Sequence, residues 1–172
     1  GKRYIIPDGI TKIGTHSFFA CPITYIHTPN SVKTIELFAF ASCTDLDTII
    51  LGNSVDSIEG AAFRINDRLK TIYSMNPIPP AAHPEAFSSF SPMFFIQCTL
   101  YVPVGSLQAY KNAEVWKNFK NIVENDFTGI ERPSPDKAKI FGNKNSISFR
   151  NIEPGTDISI YDTTGKCIKT FA

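Results

Sequence analysis

Apolar residues in the first half of the chain recur with a period of about 22–23 residues. Three successive units place the same kind of side chain at six equivalent positions, with mostly polar residues between them. A unit this short cannot bury its own apolar face, so each unit must stack on its neighbours. The pattern therefore predicts a solenoid of short coils. Its clearest columns are Ile10–Val32–Val55, Ile13–Ile35–Ile58 and Phe18–Phe40–Phe63.

Each unit also contains one β-favouring stretch bounded by turn-forming residues. These stretches, at 25–28, 48–51 and 71–74, predict short strands that pair in parallel about 4.8 Å apart. The opposite side of each coil, around Phe40 and Phe63, is expected to form a short helix or 3₁₀ turn. We expect one buried ladder of aromatic rings to run through the coils, made of Phe18, Phe40, Phe63 and Phe87.

The fourth unit is irregular, and the end of the stack has a pattern of its own. The interval from Ile72 to Leu100 is longer than one period, and the extra length is rich in proline. We interpret it as a bulged coil with a surface loop, followed by a fifth strand at 100–103. Ser106 is then predicted to be a helix N-cap. Apolar residues at three-residue steps predict a helix near 107–119 that covers the open end of the stack.

Two phrases, Ala39-Phe40-x-x-Cys43 and Ala62-Phe63-x-x-Asn66, resemble the BspA-type leucine-rich repeats of bacterial surface proteins. The segment at 99–123 is similar to the closing cap of that family, so the resemblance covers roughly residues 4–124. It implies an α/β repeat fold, a right-handed leucine-rich-repeat solenoid. That solenoid would have short parallel strands, coils of about 22–23 residues and a C-terminal capping helix.

The last quarter of the chain changes character. Residues 125–138 contain Pro133 and Pro135, which stiffen a linker. Alternating polar and apolar residues then predict half-buried strands at 139–141, 146–150 and 157–161. The stretch at 158–168 resembles part of the C-terminal sorting-type β-domain of secreted Bacteroidetes proteins. The predicted organisation is a capped solenoid at 1–124, a linker at 125–138 and a partial β-sandwich-like segment at 139–172.

Composition excludes several classes of protein. Lys and Arg number 17 and Asp and Glu 16, so the formal net charge is +1. A chain with so little net charge has no basic face for nucleic acid or anionic membrane. No apolar run approaches the roughly 18 residues that a membrane span needs. Because the chain begins with Gly1, we expect a mature or trimmed fragment.

The positions of the cysteines indicate a structural role for them more than a reactive one. Cys21 and Cys43 occupy the same repeat position one coil apart, and Asn66 follows in the next coil. Stacked side chains point the same way, which leaves the Cβ atoms about 5 Å apart, beyond the usual disulfide range. We favour a ladder of small buried side chains over a bridge or a reactive thiol. Cys98 and Cys167 are expected to be core or strand residues.

Patterns for catalysis or metal binding are lacking. The histidines, His16, His27 and His83, lie at no metal-ligand spacing, and no Cys-x-x-Cys pair is present. A nucleophilic pair of Cys21 with His16 or His27 is disfavoured. For His27, alternation predicts the outer strand face, whereas Cys21 is predicted inside. We therefore predict no enzyme, no catalytic residue, no metal site and no cofactor.

Strand alternation brings two columns of side chains to the outer face of the predicted sheet. One column is Tyr25, Thr48 and Thr71; the other is Ile5, His27, Ile50 and Tyr73. The second column is unusually apolar for a solvated face. Either β-favouring residues simply fill a small sheet, or the face is part of a protein- or glycan-binding surface. The candidate ligand-binding residues are Tyr25, His27, Thr48, Ile50, Thr71 and Tyr73.

The leading hypothesis is a non-enzymatic binding module that is secreted or lies on the outer cell surface. The BspA-type resemblance implies adhesin-like recognition of an extracellular protein or glycan, including host matrix or plasma proteins. The alternative is a structural spacer that displays another domain of a longer surface protein, because a linker and a partial β-domain follow the repeats.

Overall fold

The computed structural model describes residues 2–89, 91, 93–128 and 130, and the strands at 139–143, 146–150, 158–161 and 167–171. The chain forms two compact units, Gly1–Pro133 and Ser134–Ala172. The repeats lie in the first unit. In chain order its strands are β1 (Lys2–Ile5), β2 (Lys12–Ile13), β3 (Ile23–His27), β4 (Thr34–Ile35), β5 (Thr48–Leu51), β6 (Ser57–Ile58), β7 (Thr71–Ser74), β8 (Ala81–Ala82), β9 (Thr99–Pro103) and β10 (Asn121–Asn125). Its helices are α1 (Phe94–Gln97), α2 (Leu107–Asn112) and a 3₁₀ helix (Trp116–Asn118).

The strands form two parallel sheets on two sides of the coils. The larger sheet has the order β1-β3-β5-β7-β9-β10, and the smaller has the order β2-β4-β6-β8. Every neighbouring pair in both sheets is parallel. In the regular coils, paired residues are one sequence period apart, as in Tyr25, Thr48 and Thr71. The predicted solenoid of short stacked parallel strands is confirmed.

The phenylalanine ladder forms the centre of the core. The ring centroids lie 5.0 Å apart for Phe18 and Phe40, 5.2 Å for Phe40 and Phe63, and 5.3 Å for Phe63 and Phe87. The rings are nearly parallel, with interplanar angles of 17°, 4° and 7°. This spacing follows the separation of neighbouring strands, about 4.8 Å. The predicted ladder is therefore confirmed, with Phe40, Phe63 and Phe87 buried and Phe18, in the first coil, only half-buried.

Cys43 and Asn66 form equivalent polar rungs beside the ladder. The Cys43 thiol donates to the Phe18 carbonyl at 3.0 Å, and Asn66 Nδ2 donates to the Phe40 carbonyl at 3.0 Å. Cys21 and Cys43 are both free thiols. The two rungs have the same role, since each gives a hydrogen bond to the carbonyl of a ladder phenylalanine in the preceding coil. This agrees with the predicted ladder of small side chains.

The outer side of the coils is a series of turns, where the sequence suggested a helix or 3₁₀ turn. Two positions in each coil adopt positive φ without glycine: His16, Phe38 and Ala61 in one column, Ala20, Ser42 and Ile65 in the other. Left-handed backbone breaks a helix at once. Between these positions, the N–H groups of Phe18, Phe40 and Phe63 each donate to the next coil at 2.8 Å. On this side, hydrogen bonds to the next coil therefore alternate with turn hydrogen bonds within the coil, such as that from the Ala41 N–H to the Phe38 carbonyl.

Aromatic side chains from residues 107–119 close the last coil. Trp116 and Phe119 pack edge-on against Phe87 at 5.5 and 5.7 Å between centroids. Trp116 Nε1 donates to the Pro80 carbonyl at 2.7 Å, and the Tyr110 hydroxyl donates to the Asn76 carbonyl at 2.7 Å. The cap thus donates hydrogen bonds to carbonyl groups of the irregular fourth coil and also covers its core.

Details of the cap differ from the sequence prediction. Helix α2 ends at Asn112 because Ala113 is extended, and Val115 then adopts a φ of 70° before the 3₁₀ helix. Ser106 is at the N-cap position, but its side chain makes no capping hydrogen bond. Glu124 Oε1 accepts instead from the N–H groups of Gly105 and Leu107, at 2.8 and 3.3 Å. Strand β10, which carries Glu124, adds a sixth strand that the sequence pattern did not reveal.

The described strands of the second unit form two antiparallel pairs. One pair is β11 (Lys139–Asn143) with β12 (Ser146–Arg150), and the other is β13 (Ile158–Tyr161) with β14 (Cys167–Phe171). Strands are thus present at the three segments where alternation predicted them. The boundaries at 124 and 138, and the sorting-type identity, stay predictions.

Phe40→Ala should lower the free energy of unfolding by about 3–5 kcal/mol, because the variant leaves a cavity in the middle of the ladder. Phe19→Ala is the matched control, because Phe19 is adjacent in the fold but 48% exposed. The free energy of unfolding of this control should fall by no more than about 0.5 kcal/mol, as for most surface substitutions. Denaturant titrations of both variants measure the difference. Similar losses for the two would show that the ladder is not the centre of the core.

Gly52→Ala should destabilise the protein, because a Cβ there would lie 2.3 Å from the Pro29 carbonyl oxygen in the adjacent coil. Backbone cannot move aside as a side chain does, so we expect a loss of about 1–3 kcal/mol. In Gly60→Ala the nearest atom is His83 Nδ1 at 3.3 Å, on an exposed side chain. The control should therefore lose clearly less in the same thermal melts, and equal losses would show that the coils separate easily.

A fragment of residues 1–133 should fold without the second unit, because each coil is stabilised by its nearest neighbours. Circular dichroism should give a cooperative melt close to that of the intact chain. An unfolded or aggregated fragment would show that the two units depend on each other.

Candidate binding face

Two rows of side chains cross the outer face of the larger sheet. The threonine row follows the register Arg3, Tyr25, Thr48, Thr71, Thr99 and Asn121. The aromatic row follows the register Ile5, His27, Ile50, Tyr73, Tyr101 and Val123. The residues between the rows, such as Ile26, Ile49 and Ile72, are fully buried in the core. The structure therefore brings all six predicted site residues together on one face, in the predicted columns.

The threonine row is the open part of this face. Tyr25, Thr48 and Thr71 are half-buried. The Arg3 guanidinium lies 4.1 Å from the centroid of the Tyr25 ring, which is a cation–π contact at one edge of the sheet. The row thus offers hydroxyl groups and one aromatic ring, with positive charge at its end.

The aromatic row is covered at His27 and Ile50, which corrects an expectation from the sequence. Tyr73 is half-buried, but His27 and Ile50 are only 2% and 3% exposed, although alternation directs them away from the core. Phe127 and Met75 pack on Ile50 from outside the sheet. The outward direction of this column was predicted correctly, and its exposure was not.

Two stacked tyrosines lie at the centre of the aromatic row. The rings of Tyr73 and Tyr101 are 4.8 Å apart with an interplanar angle of 17°. Phe127 meets Tyr73 edge-on, with 6.3 Å between centroids and an angle of 74°. Burial, and to a smaller degree the neighbouring Tyr101, raises the pKa of the Tyr73 hydroxyl. The centre of the face is therefore uncharged and aromatic at physiological pH.

A second concave region lies at the end of the smaller sheet. This open groove of about 610 Å³ is lined by apolar side chains and by Glu59, Arg64, His83 and Glu85. Glu59 Oε2 accepts from the N–H of Leu37 at 3.0 Å, and His83 Nδ1 accepts from the N–H of Glu85 at 3.1 Å. The Glu59 carboxylate and the His83 imidazole therefore already accept hydrogen bonds from the backbone of the coils.

Two of the thiols, those of Cys43 and Cys98, are buried in the core. Burial raises the pKa of Cys43 to about 11 and that of Cys98 to about 12. Thiols with such pKa values are poor nucleophiles at neutral pH. Within the described residues, no group of three or more His, Cys, Asp or Glu side chains could hold a metal ion. In the same part of the chain, no helix has the length and hydropathy of a membrane span.

Sequence reasoning did not identify Tyr101, Met75 and Phe127, which cluster with Ile50 and Tyr73 on this face. Tyr101 follows from extending the register of Tyr73 by one strand, and Met75 lies two residues beyond Tyr73 on the same side. Alternation could have identified both. Phe127 lies outside the repeats and carries no periodic signal.

Comparison with known proteins agrees with this architecture. The family described as "BspA type Leucine rich repeat region" matches residues 2–101 in six copies. A comparison with curated proteins finds no match. Among solved structures, the chain is similar to the pneumococcal vaccine antigen PcpA, at 15% identity and a TM-score of 0.41, over 73% of this chain and 42% of that one.

A second similar structure is a leucine-rich cell surface protein from Faecalibacterium prausnitzii. It is 17% identical with a TM-score of 0.35, over 73% of this chain and 32% of the other. The chain thus spans less than half the length of either protein.

Proposed function

The chain belongs to the BspA-type leucine-rich repeat family, and on that premise we propose that it is a non-enzymatic binding module. Its ligand is an extracellular protein or glycan, and adhesin-like recognition of host matrix or plasma proteins falls within this class. The module works outside the cell, either secreted or on the outer surface.

One observation carries this proposal: the outer face of the larger sheet combines aromatic, hydroxyl and apolar groups on a rigid support. Tyrosine and other aromatic side chains are enriched where proteins recognise each other, because they bury much area at little entropic cost. The strands that hold them are fixed by the stacked coils, so little ordering is needed on binding. Neutral hydroxyl groups beside the rings suit hydrogen bonding to a peptide or a sugar.

The candidate residues divide into two roles. Tyr25, Thr48, Thr71 and Tyr73 are accessible and contact the ligand in this proposal. His27 and Ile50 lie beneath other side chains and form the floor of the face.

A structural spacer is the second candidate, and the division of the chain favours it. The second unit, Ser134–Ala172, is compact in itself and carries its own strands. In a spacer, the repeats would hold another domain of a longer surface protein at a distance, and the outer face would have no ligand.

Thr71→Lys should weaken binding to the ligand at least tenfold, because a long charged side chain in the middle of the threonine row blocks close approach. The protein is first screened against panels of extracellular proteins and of glycans, and the affinity of each hit is then measured by calorimetry. Thr44→Lys is the matched control, since Thr44 is exposed on the turn side of the coils. Both variants should melt like the wild type.

Each outcome decides between the candidates. Loss of binding in Thr71→Lys alone supports the face. Equal affinity of the wild type and both variants places the ligand elsewhere on the surface. Absence of any hit in both panels favours the spacer.

A further inference from the structure

Phe127 fills a pocket that is separate from the core of the solenoid. Its side chain is 7% exposed and packs with Ile50 and Met75, which are 3% and 8% exposed. Half-buried tyrosines, Tyr73 and Tyr101 among them, complete the walls. None of these residues belongs to the buried cluster on the inner side of the sheet. Phe127 therefore covers a surface pocket, and the coils do not need it to complete their own packing.

The segment that carries Phe127 is held by its own hydrogen bonds. The Phe127 N–H donates to Asn125 Oδ1 at 2.6 Å, and the Thr128 N–H donates to Asp126 Oδ1 at 3.0 Å. The Ile130 N–H donates to the Phe127 carbonyl at 3.4 Å. In the described part of the chain, the hydrogen-bond partners of these three N–H groups thus all lie within 125–130. Residues 126–128 and 130, named the plug, meet the sheet through the packing of the Phe127 and Ile130 side chains.

The backbone of the plug is shaped to present Phe127 to the sheet. Two successive side-chain-to-backbone turns begin at Asn125, the last residue of strand β10, and at Asp126. Phe127 itself adopts a φ of 57°, which is uncommon for a bulky residue. A conformation of this kind persists when local contacts determine it. The plug is therefore a defined turn, and its aromatic side chain points back over the strands.

The chemistry of the pocket selects an aromatic ring. Tyr73 offers the face of a tyrosine stack to the edge of the inserted ring. Met75 contributes a polarizable thioether, which packs well against aromatic rings. Ile50 supplies the apolar floor. A charged or strongly hydrated side chain would lose its water in this pocket and gain no partner.

We propose that the plug occupies a side-chain-binding pocket of the binding face, and that the ligand is a protein segment that presents an aromatic side chain in place of Phe127. This inference rests on the proposed function and names the class of ligand. Binding is then a competition: the free energy that holds Phe127 in the pocket is subtracted from the affinity of the ligand. The threonine row stays accessible while the plug is in place and offers the ligand its first contact.

The test uses the full chain and a small probe, N-acetyl-L-phenylalaninamide, with N-acetyl-L-alaninamide as the non-aromatic control. The methyl resonances of Ile50 and Met75 report entry into the pocket, because a ring near them shifts their signals. The only other methionine, Met93, is exposed and serves as an internal reference. In Phe127→Ala, the aromatic probe should give saturable chemical-shift changes at Ile50 and Met75. Its affinity, obtained from that titration, should be at least tenfold higher than for the wild type. The alanine probe should give no such changes.

Two further variants make the test specific. Phe19→Ala removes an exposed phenylalanine on the turn side, and it should bind the probe as weakly as the wild type does. Asp126→Ala keeps Phe127 but removes the acceptor for the Thr128 N–H, so the probe should bind with an affinity between those of the wild type and Phe127→Ala.

Three results would overturn the proposal. Equal probe binding by the wild type and Phe127→Ala would show that Phe127 blocks nothing. A folded Phe127→Ala that binds no probe would show that there is no aromatic pocket. Cooperative unfolding of the whole solenoid in Phe127→Ala would show that this residue belongs to the core.

The proposed function and this inference can be disproved independently of each other. If the probe enters the pocket but no extracellular protein or glycan binds the chain, the pocket stands and the function does not. If a ligand is sensitive to Thr71→Lys but binds the wild type and Phe127→Ala equally, the function stands and the plug does not.

Discussion

Hydrogen bonding between successive coils is the constraint on which the rest of this structure depends. A single short coil has few backbone partners within itself, so its N–H groups donate to the neighbouring coil. They do so along both sheets and along the turn side, where equivalent bonds repeat at 2.8 Å. The resulting spacing brings equivalent side chains into contact, as in the phenylalanine ladder at 5.0–5.3 Å. Only residues that pack well on copies of themselves can fill such columns. Periodicity in the sequence is the consequence.

This explains which parts of the fold could be predicted. The inner columns, the strand register and the ladder through Phe87 all follow from self-packing, and each leaves a periodic signal. The turn side leaves no periodic signal in the sequence, because residues as different as His16, Phe38 and Ala61 adopt the same left-handed backbone. The hydrogen bonds between coils impose that conformation, and residue preference does not. The cap was predicted in position but not in shape, because the extended Ala113 ends helix α2 and the left-handed Val115 separates it from the 3₁₀ helix.

The candidate site shows the same division. Alternation along a strand fixes the direction of a side chain, so the two outer rows could be assigned from the sequence. Burial depends in addition on what covers the strand, and over Ile50 that includes Phe127, which lies beyond the last repeat. Ile50 therefore points outward as predicted and is nevertheless buried. A pattern confined to the repeats cannot report a contact made by a segment outside them.

The outer face also differs from the other surfaces in how far its residue types can change from one coil to the next. Inner positions such as Ile26, Ile49 and Ile72 hardly change from coil to coil, because each must pack on the next. The turn side changes its residues but is bound to a strained backbone. The aromatic row has neither restriction: its strands are regular, and its members range from His27 to Tyr101 without altering the stack. The stacking of coils thus constrains the residues of this row less than those of the other two surfaces, which is a physical reason for proposing recognition on this face.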